Sequence, residues 1–201
     1  MNVIFLEVAA CVIRVHFKPS KDWEFQMQLL KKEIQESYKG FLREKPQKVD
    51  LYLEIEDVMD YEIVSRDSEK KNYIILYKDS AENKIITFPY ISMLQFEFIL
   101  RILLYRFLLT HNGIPLHTSA VAINGKACLF LGRSGSGKST AMKLLSKKYT
   151  PLADDSGIIT YENNNFYFYQ TPFIEKQWWV KKNATEICTW KNFSPQTGKI
   201  L

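Results

Sequence analysis

The stretch ACLFLGRSGSGKST, residues 127–140, decides the fold predicted for the second half of this sequence. An apolar segment of strand character, residues 127–131, runs directly into a glycine-rich loop, and a segment compatible with a helix follows the loop. Gly132, four further residues and then Gly137-Lys138-Ser139 satisfy the Walker A pattern GxxxxGK[ST] in full. This order of strand, loop and helix predicts a P-loop that binds the phosphates of a nucleoside triphosphate.

The residue types of the loop explain how it would hold phosphate. Glycines let the backbone turn successive N–H groups into one concavity, which forms an anion nest. We expect Lys138 to reach the β- and γ-phosphates and the Ser139 hydroxyl to ligate Mg²⁺. The residues predicted to contact the nucleotide are Gly132, Arg133, Ser134, Gly135, Ser136, Gly137, Lys138, Ser139 and Thr140.

Two adjacent carboxylates, Asp154 and Asp155, follow the short apolar run of residues 151–153. Near a P-loop, one carboxylate can hold the metal and the other can accept the proton of an attacking hydroxyl. Neighbouring side chains of an extended segment point to opposite sides, which favours separate roles for the two. A solvated Asp-Asp-Ser-Gly turn is the alternative interpretation.

His117 precedes the hairpin that leads into the P-loop. A histidine there can lie near the γ-phosphate and either donate a hydrogen bond or steer a proton. From the residues alone, a lone histidine is more often structural, and that interpretation is favoured over a role in the site.

The pattern of apolar residues predicts an α/β protein in two parts, a mixed α+β region over residues 1–112 and a core over residues 113–201 that contains the P-loop. A helical face runs from Trp23 to Phe41, and a second, strongly apolar helix is predicted over residues 91–109. A charged loop is predicted over residues 65–72. The strands are predicted at residues 2–17 with a bend at Ala9-Ala10, 49–55, 73–77, 84–88, 118–123, 126–131, 151–154, 157–161 and 166–170.

Composition limits the remaining function classes. The formal net charge is +5 without a basic stripe, so nucleic acid is not an expected partner. The apolar segment at residues 91–109 carries Glu97, Arg101 and Arg106, which argues against a membrane span. The three cysteines have no CxxC spacing, and the N-terminus lacks the features of a signal peptide. We therefore expect a cytoplasmic protein, and its oligomeric state, including a homo-oligomer, stays open.

The order of histidine, hairpin, P-loop, helix and Asp-Asp resembles the HPr kinase/phosphorylase superfamily. Within it, the sequence is most similar to HPr-kinase-like serine kinases of the type encoded in lasso peptide clusters. The matching stretches are residues 116–122, Asn124-Gly125, residues 132–140 and residues 152–155. This resemblance implies a fold related to phosphoenolpyruvate carboxykinase, the cofactors ATP and Mg²⁺, and phosphoryl transfer to a serine hydroxyl of a protein or peptide.

The same resemblance assigns roles to individual residues. It implies that Asp154 is the general base, that Asp155 lies by the metal and Lys138, and that His117 belongs to the active site. The sequence lacks the family's downstream glutamate-arginine-glycine signature, for which Glu175 is a weak substitute, and it ends early for the family. Two alternatives therefore stay open, a small-molecule kinase and a non-catalytic regulatory protein that binds nucleotide.

Overall fold

The computed structural model describes residues 2–57, 64–66, 72–74, 77–173, 180–182, 184 and 187–190. The chain divides into two compact units, Met1–Phe107 and Leu108–Leu201. Helices and several sheets occur together, so the fold belongs to the mixed α and β class that the sequence predicts. The division falls inside a helix, a few residues before the boundary predicted near Asn112.

Unit 1 is built on a six-stranded sheet with the order β3-β1-β2-β4-β8-β7. The strands of this unit are β1 Val3–Val8, β2 Cys11–Phe17, β3 Leu42–Arg43, β4 Leu51–Ile55, β5 Val64–Arg66, β6 Asn72–Ile74, β7 Lys78–Ala81 and β8 Lys84–Thr87. Within the part of the chain that the structure describes, β5 and β6 pair with each other and with no other strand. Ala9 and Ala10, with φ of 51° and 59°, form the tight turn between β1 and β2, which confirms the predicted bend.

Two helices provide the apolar residues that cover this sheet's core. Helix α1, Glu24–Ser37, buries Met27, Leu30 and Ile34, and a short 3-10 helix, Lys39–Phe41, follows it. Helix α2, Met93–Thr110, confirms the predicted apolar helix. Ser92 and Gln95 cap α2 reciprocally: the Ser92 N–H donates to Gln95 Oε1 at 2.8 Å, and the Gln95 N–H donates to Ser92 Oγ at 3.3 Å.

The charges within α2 are satisfied by ion pairs. Arg101 Nη2 lies 2.7 Å from Glu97 Oε1, and Arg106 forms a bidentate pair with Asp79. None of the helices in the described ranges combines the length and apolar character that crossing a bilayer needs.

The strand predicted at residues 73–77 is confirmed at its start, where Tyr73 and Ile74 belong to β6, but β6 pairs with β5 and is not the partner of β8. The partner of β8 across the two-residue turn at Glu82-Asn83 is β7, which ends at Ala81, immediately before the turn. Lys78, Asp79, Ser80 and Ala81 are all exposed at the sheet edge, so they carry no hydrophobic signal. The predicted charged loop at residues 65–72 is also partly wrong, since β5 and β6 occupy its two ends.

The described residues of unit 2 form two sheets, helix α3 and the last turn of α2. The three-stranded sheet has the order β11-β10-β12, and the four-stranded sheet has the order β15-β14-β13-β9. The elements are β9 Gly113–Leu116, β10 Ser119–Ile123, β11 Lys126–Phe130, α3 Lys138–Leu145, β12 Thr150–Ala153, β13 Gly157–Glu162, β14 Asn165–Gln170 and β15 Ile187–Trp190. Asn124 and Gly125, with φ of 51° and 73°, form the predicted hairpin turn between β10 and β11.

The chain crosses between the two sheets of unit 2 at two neighbouring places. The first crossing is His117-Thr118, which connects β9 to β10, and the second is residues 154–156, which connect β12 to β13. Strand β13 pairs with β9 so that Gly157 lies opposite Leu116. The two crossings therefore begin and end side by side, although they are far apart in sequence.

Gly157 is predicted to be intolerant of any side chain. A Cβ atom at this position would lie 2.4 Å from Phe168 Cε2 and 3.3 Å from Thr118 Cγ2. Gly157→Ala should therefore lower the free energy of unfolding by about 1–3 kcal/mol, as overpacking does in other cores. Chemical denaturation measures this change.

A paired substitution provides the control for this steric explanation. Phe168→Leu removes the ring atoms that the new methyl group would meet. The double variant Gly157→Ala/Phe168→Leu should then lose less stability than the sum of the two single variants. Strict additivity would show that the ring contact is not the cause.

Candidate functional site

The sequence-predicted site residues gather at one edge of the three-stranded sheet. Strand β10 is antiparallel to both neighbours, with Ser119 opposite Phe130 of β11 and Ala120 opposite Ala153 of β12. The C-terminal ends of β11 and β12 therefore lie at the same edge as the start of β10. The glycine-rich loop leaves β11 at this edge, Asp154 follows β12, and His117 precedes β10.

The glycine-rich loop is shaped by its glycines. A Cβ atom on Gly132 would lie 2.7 Å from Ser136 Oγ, so the serine side chain would have to move, and the φ of 154° at this position favours glycine. Gly137 has φ 88° and ψ 12°, a left-handed conformation that glycine adopts without strain, and it immediately precedes α3. Because glycine has no side-chain acceptor, it leaves the N–H groups of the first turn of α3 available to an anion.

Lys138 begins α3 and folds back over the loop. Its Nζ donates to the carbonyl oxygens of Gly132 at 2.9 Å and Arg133 at 3.2 Å. This position holds a positive charge against the backbone of the loop. An anion entering here would meet both the ammonium group and the positive end of α3.

A cavity of about 180 Å³ lies against the loop. It is lined by His117, Ser134, Gly135, Gly137, Lys138, Ser139, Thr140 and Asp154. Three separate chain segments thus contribute to one small polar cavity. Gly132, Arg133 and Ser136 belong to the same loop but are not among the described residues that line the cavity, and the same holds for Asp155.

Asp154 is held rigidly at the cavity wall. The residue is only 2% exposed, and its Oδ1 accepts a hydrogen bond from the Ser119 hydroxyl at 2.9 Å. A buried carboxylate requires such donors, because removing it from water without compensation is costly. Ser119 was not predicted as a site residue. Its sequence signal is a hydroxyl residue at the start of an otherwise apolar strand.

His117 and Asp155 connect the two sheet crossings. His117 Nδ1 lies 3.0 Å from the backbone oxygen of Asp155 and 3.3 Å from its Oδ1. Both oxygens only accept, so Nδ1 carries the proton and donates to them. In the neutral ring, Nε2 is then the nitrogen with a free lone pair, so His117 can accept a hydrogen bond or a proton through Nε2.

The two adjacent carboxylates therefore have different surroundings. Asp154 is buried at the cavity, whereas the side chain of Asp155 is 31% exposed and lies beside His117. Residues 154 and 155 lie in a bend after β12 and not in the extended segment from which separate roles were predicted. The described residues contain no group of three or more His, Cys, Asp or Glu side chains arranged to hold a metal ion. Glu175, the weak substitute for a metal ligand, lies outside the described residues.

The fold and site together define a mixed α and β protein with a glycine-rich loop, a lysine and a buried aspartate around one polar cavity. Residues 79–191 match the model of the family described as SynChlorMet cassette protein ScmC. The match covers more than half of the chain, and the chain belongs to this family. It extends from β7 through all residues of the candidate site. A comparison with curated proteins finds no match.

Proposed function

We propose that the protein is a Mg-ATP-dependent kinase that transfers the γ-phosphate to a serine hydroxyl of a protein or peptide. The observation that carries this proposal is the cavity that His117, Lys138, Ser139 and Asp154 line together. Phosphoryl transfer needs little more from a protein than an anion cradle, a cation and a positioned base. These four residues and the loop backbone supply each of these elements.

Binding of ATP is assigned to the glycine-rich loop and the first turn of α3. The N–H groups of the loop surround the phosphates, and Lys138 exchanges the carbonyls of Gly132 and Arg133 for phosphate oxygens. Hydroxyl and carboxylate oxygens are ligands that suit Mg²⁺, which would neutralise phosphate charge. Ser139 would hold it from the cavity wall. Asp155 would also hold the metal, as the resemblance implies. In the structure its carboxylate contacts His117.

The transfer step is assigned to Asp154. The acceptor oxygen attacks the γ-phosphorus as the bond to the bridging oxygen of ADP breaks, and the hydroxyl proton moves to the carboxylate of Asp154. The hydrogen bond from Ser119 to Oδ1 fixes the orientation of this carboxylate. His117, oriented through Nδ1 by Asp155, presents Nε2 as a hydrogen-bonding group for the acceptor or the γ-phosphate.

A labelling experiment tests the proposal. The full chain is incubated with Mg²⁺ and ATP labelled at the γ-phosphate, together with serine-containing peptides and, separately, a metabolite extract. We expect acid-stable phosphoserine on peptide, lost when EDTA removes the metal. Label confined to small molecules would instead identify a small-molecule kinase. Saturable ATP binding without turnover on any acceptor would favour the non-catalytic regulator.

A further inference from the structure

Unit 1 exposes a set of large apolar side chains on α1 and at the start of α2. Phe25, Leu29, Tyr90, Leu94 and Phe98 are 73%, 47%, 54%, 68% and 51% exposed, respectively. Leu29, Tyr90 and Leu94 line one open cavity of about 740 Å³. We call this cavity the apolar groove; Phe25 lies one turn before Leu29 on α1, and Phe98 lies one turn after Leu94 on α2. Contiguous exposed apolar surface of this kind marks interaction sites in soluble proteins.

The core of unit 1 does not account for these side chains. Helix α1 already buries Met27, Leu30 and Ile34, so Phe25 and Leu29, spaced by one helical turn, form a second apolar stripe. Leu94 and Phe98 repeat the same spacing on α2. An amphipathic helix needs one apolar stripe to pack on its own sheet. A second stripe on both helices indicates that another surface covers them.

The groove is preorganised by aromatic contacts. Tyr90 stacks on Phe88 with ring centroids 4.2 Å apart, and Trp23 lies against its ring at 5.0 Å. The reciprocal cap formed by Ser92 and Gln95 fixes the start of α2 beside it. A preformed surface loses little conformational entropy when it binds a partner.

The charge of the groove specifies the kind of partner. Glu33 and Glu36 line it, and the described residues that line it include no lysine, arginine or histidine. Lys32 Nζ lies 3.9 Å from Glu36 Oε1, but both side chains are largely exposed. This ion pair therefore neutralises little of the negative charge of Glu36. The groove is therefore locally acidic on a chain whose formal net charge is +5.

We propose that the apolar groove docks a short amphipathic helix of a partner polypeptide. Apolar side chains one turn apart on the partner enter between Leu29 and Leu94, and its Lys or Arg residues face Glu33 and Glu36. Helices bind grooves between two helices in this way in many complexes. A second copy of the same chain fits less well, because a symmetric contact would bring Glu33 and Glu36 against their own copies. This proposal does not depend on the proposed kinase activity.

Two synthetic helical peptides test the proposal on the full chain. They share the same leucine positions, spaced by one turn, and differ only in carrying Lys or Glu beside them. Fluorescence anisotropy at low salt should show the Lys peptide binding at least about tenfold more tightly than the Glu peptide. In Glu33→Lys/Glu36→Lys, which changes two surface side chains, this preference should reverse.

A matched pair of leucine substitutions distinguishes binding in the groove from nonspecific hydrophobic binding elsewhere on the surface. Leu94→Ser should lower the affinity for the Lys peptide by about tenfold or more. Leu144→Ser on α3 should leave this affinity unchanged, although Leu144 is also exposed, at 62%. Failure of the Lys peptide to bind, equal binding of both peptides, or an unchanged preference after the charge reversal would overturn the proposal. A dimer in sedimentation that Leu94→Ser dissociates would overturn it in favour of a second copy.

Discussion

Lys138→Ala should lower the rate of phosphoryl transfer by about 10²- to 10³-fold, the loss expected when one preorganised charge-stabilising donor is removed. Lys138 carries the one side-chain cation among the described residues that line the site cavity. It also contacts the loop that would hold the phosphates. Affinity for ATP should fall by about 10- to 100-fold, because charge-assisted hydrogen bonds contribute about 1.5–3 kcal/mol each. Steady-state kinetics and calorimetric titration with ATP measure the two effects.

Lys143→Ala is the matched control for this substitution. Lys143 lies on the same helix, one turn and a half further on, and its side chain is exposed. It should leave both the rate and the affinity for ATP near those of the unmodified protein. Because the Lys138 ammonium contacts only exposed loop carbonyls, neither variant should unfold at a markedly lower temperature. Full ATP affinity in Lys138→Ala would disprove the assignment of the loop.

Asp154→Asn should lower the rate of transfer by about 10²- to 10⁴-fold, which is the usual contribution of a positioned general base. The substitution keeps the shape of the side chain, and an amide oxygen can still accept the Ser119 hydroxyl. ATP binding should therefore persist while turnover is lost. A rate constant that falls without a matching loss of ATP affinity is the expected kinetic result.

Asp155→Asn provides the comparison for the Asp154 variant. Asp155 lies outside the described lining of the cavity, and the His117 ring also contacts its backbone oxygen, which the substitution leaves in place. If Asp155 holds Mg²⁺ as proposed, its variant should require more Mg²⁺ for half-maximal activity. If Asp154→Asn turns over as fast as the unmodified protein, a different group accepts the proton, and His117 Nε2 is then the first candidate.

Local patterns allowed the glycine-rich loop and the long helices to be predicted. Residues 132–139 satisfy a motif whose spacing is itself the requirement for curling the backbone around an anion. Helix α2 is long and strongly apolar, so it can be recognised from its own residues, whatever elements pack against it. In both cases the determining interactions lie within a few residues along the chain, so the sequence alone carries the signal.

The parts that the sequence did not predict depend on distant residues. Strand β9 is short and contains Pro115, and it is a strand because it pairs with β13 more than forty residues later. The contact between His117 and Asp155 spans 38 positions, and the contact between Ser119 and Asp154 spans 35. The sequence resemblance suggested that His117, Asp154 and Asp155 share a site, and it assigned no role to Ser119. Their individual hydrogen bonds required the sheet register, which no local pattern specifies.

The pairing of the two sheet crossings has a thermodynamic consequence. His117 and Asp155 belong to the segments through which the chain passes from one sheet of unit 2 to the other, so the site exists only when both sheets have formed. A ligand that binds this site therefore binds the folded unit and not the unfolded chain. The binding free energy of the ligand adds to the stability of the folded unit. The midpoint temperature of thermal unfolding should therefore rise with the logarithm of ligand concentration. The melting temperature of the protein, measured with different nucleotides, therefore tests the proposed nucleotide binding before any acceptor is known.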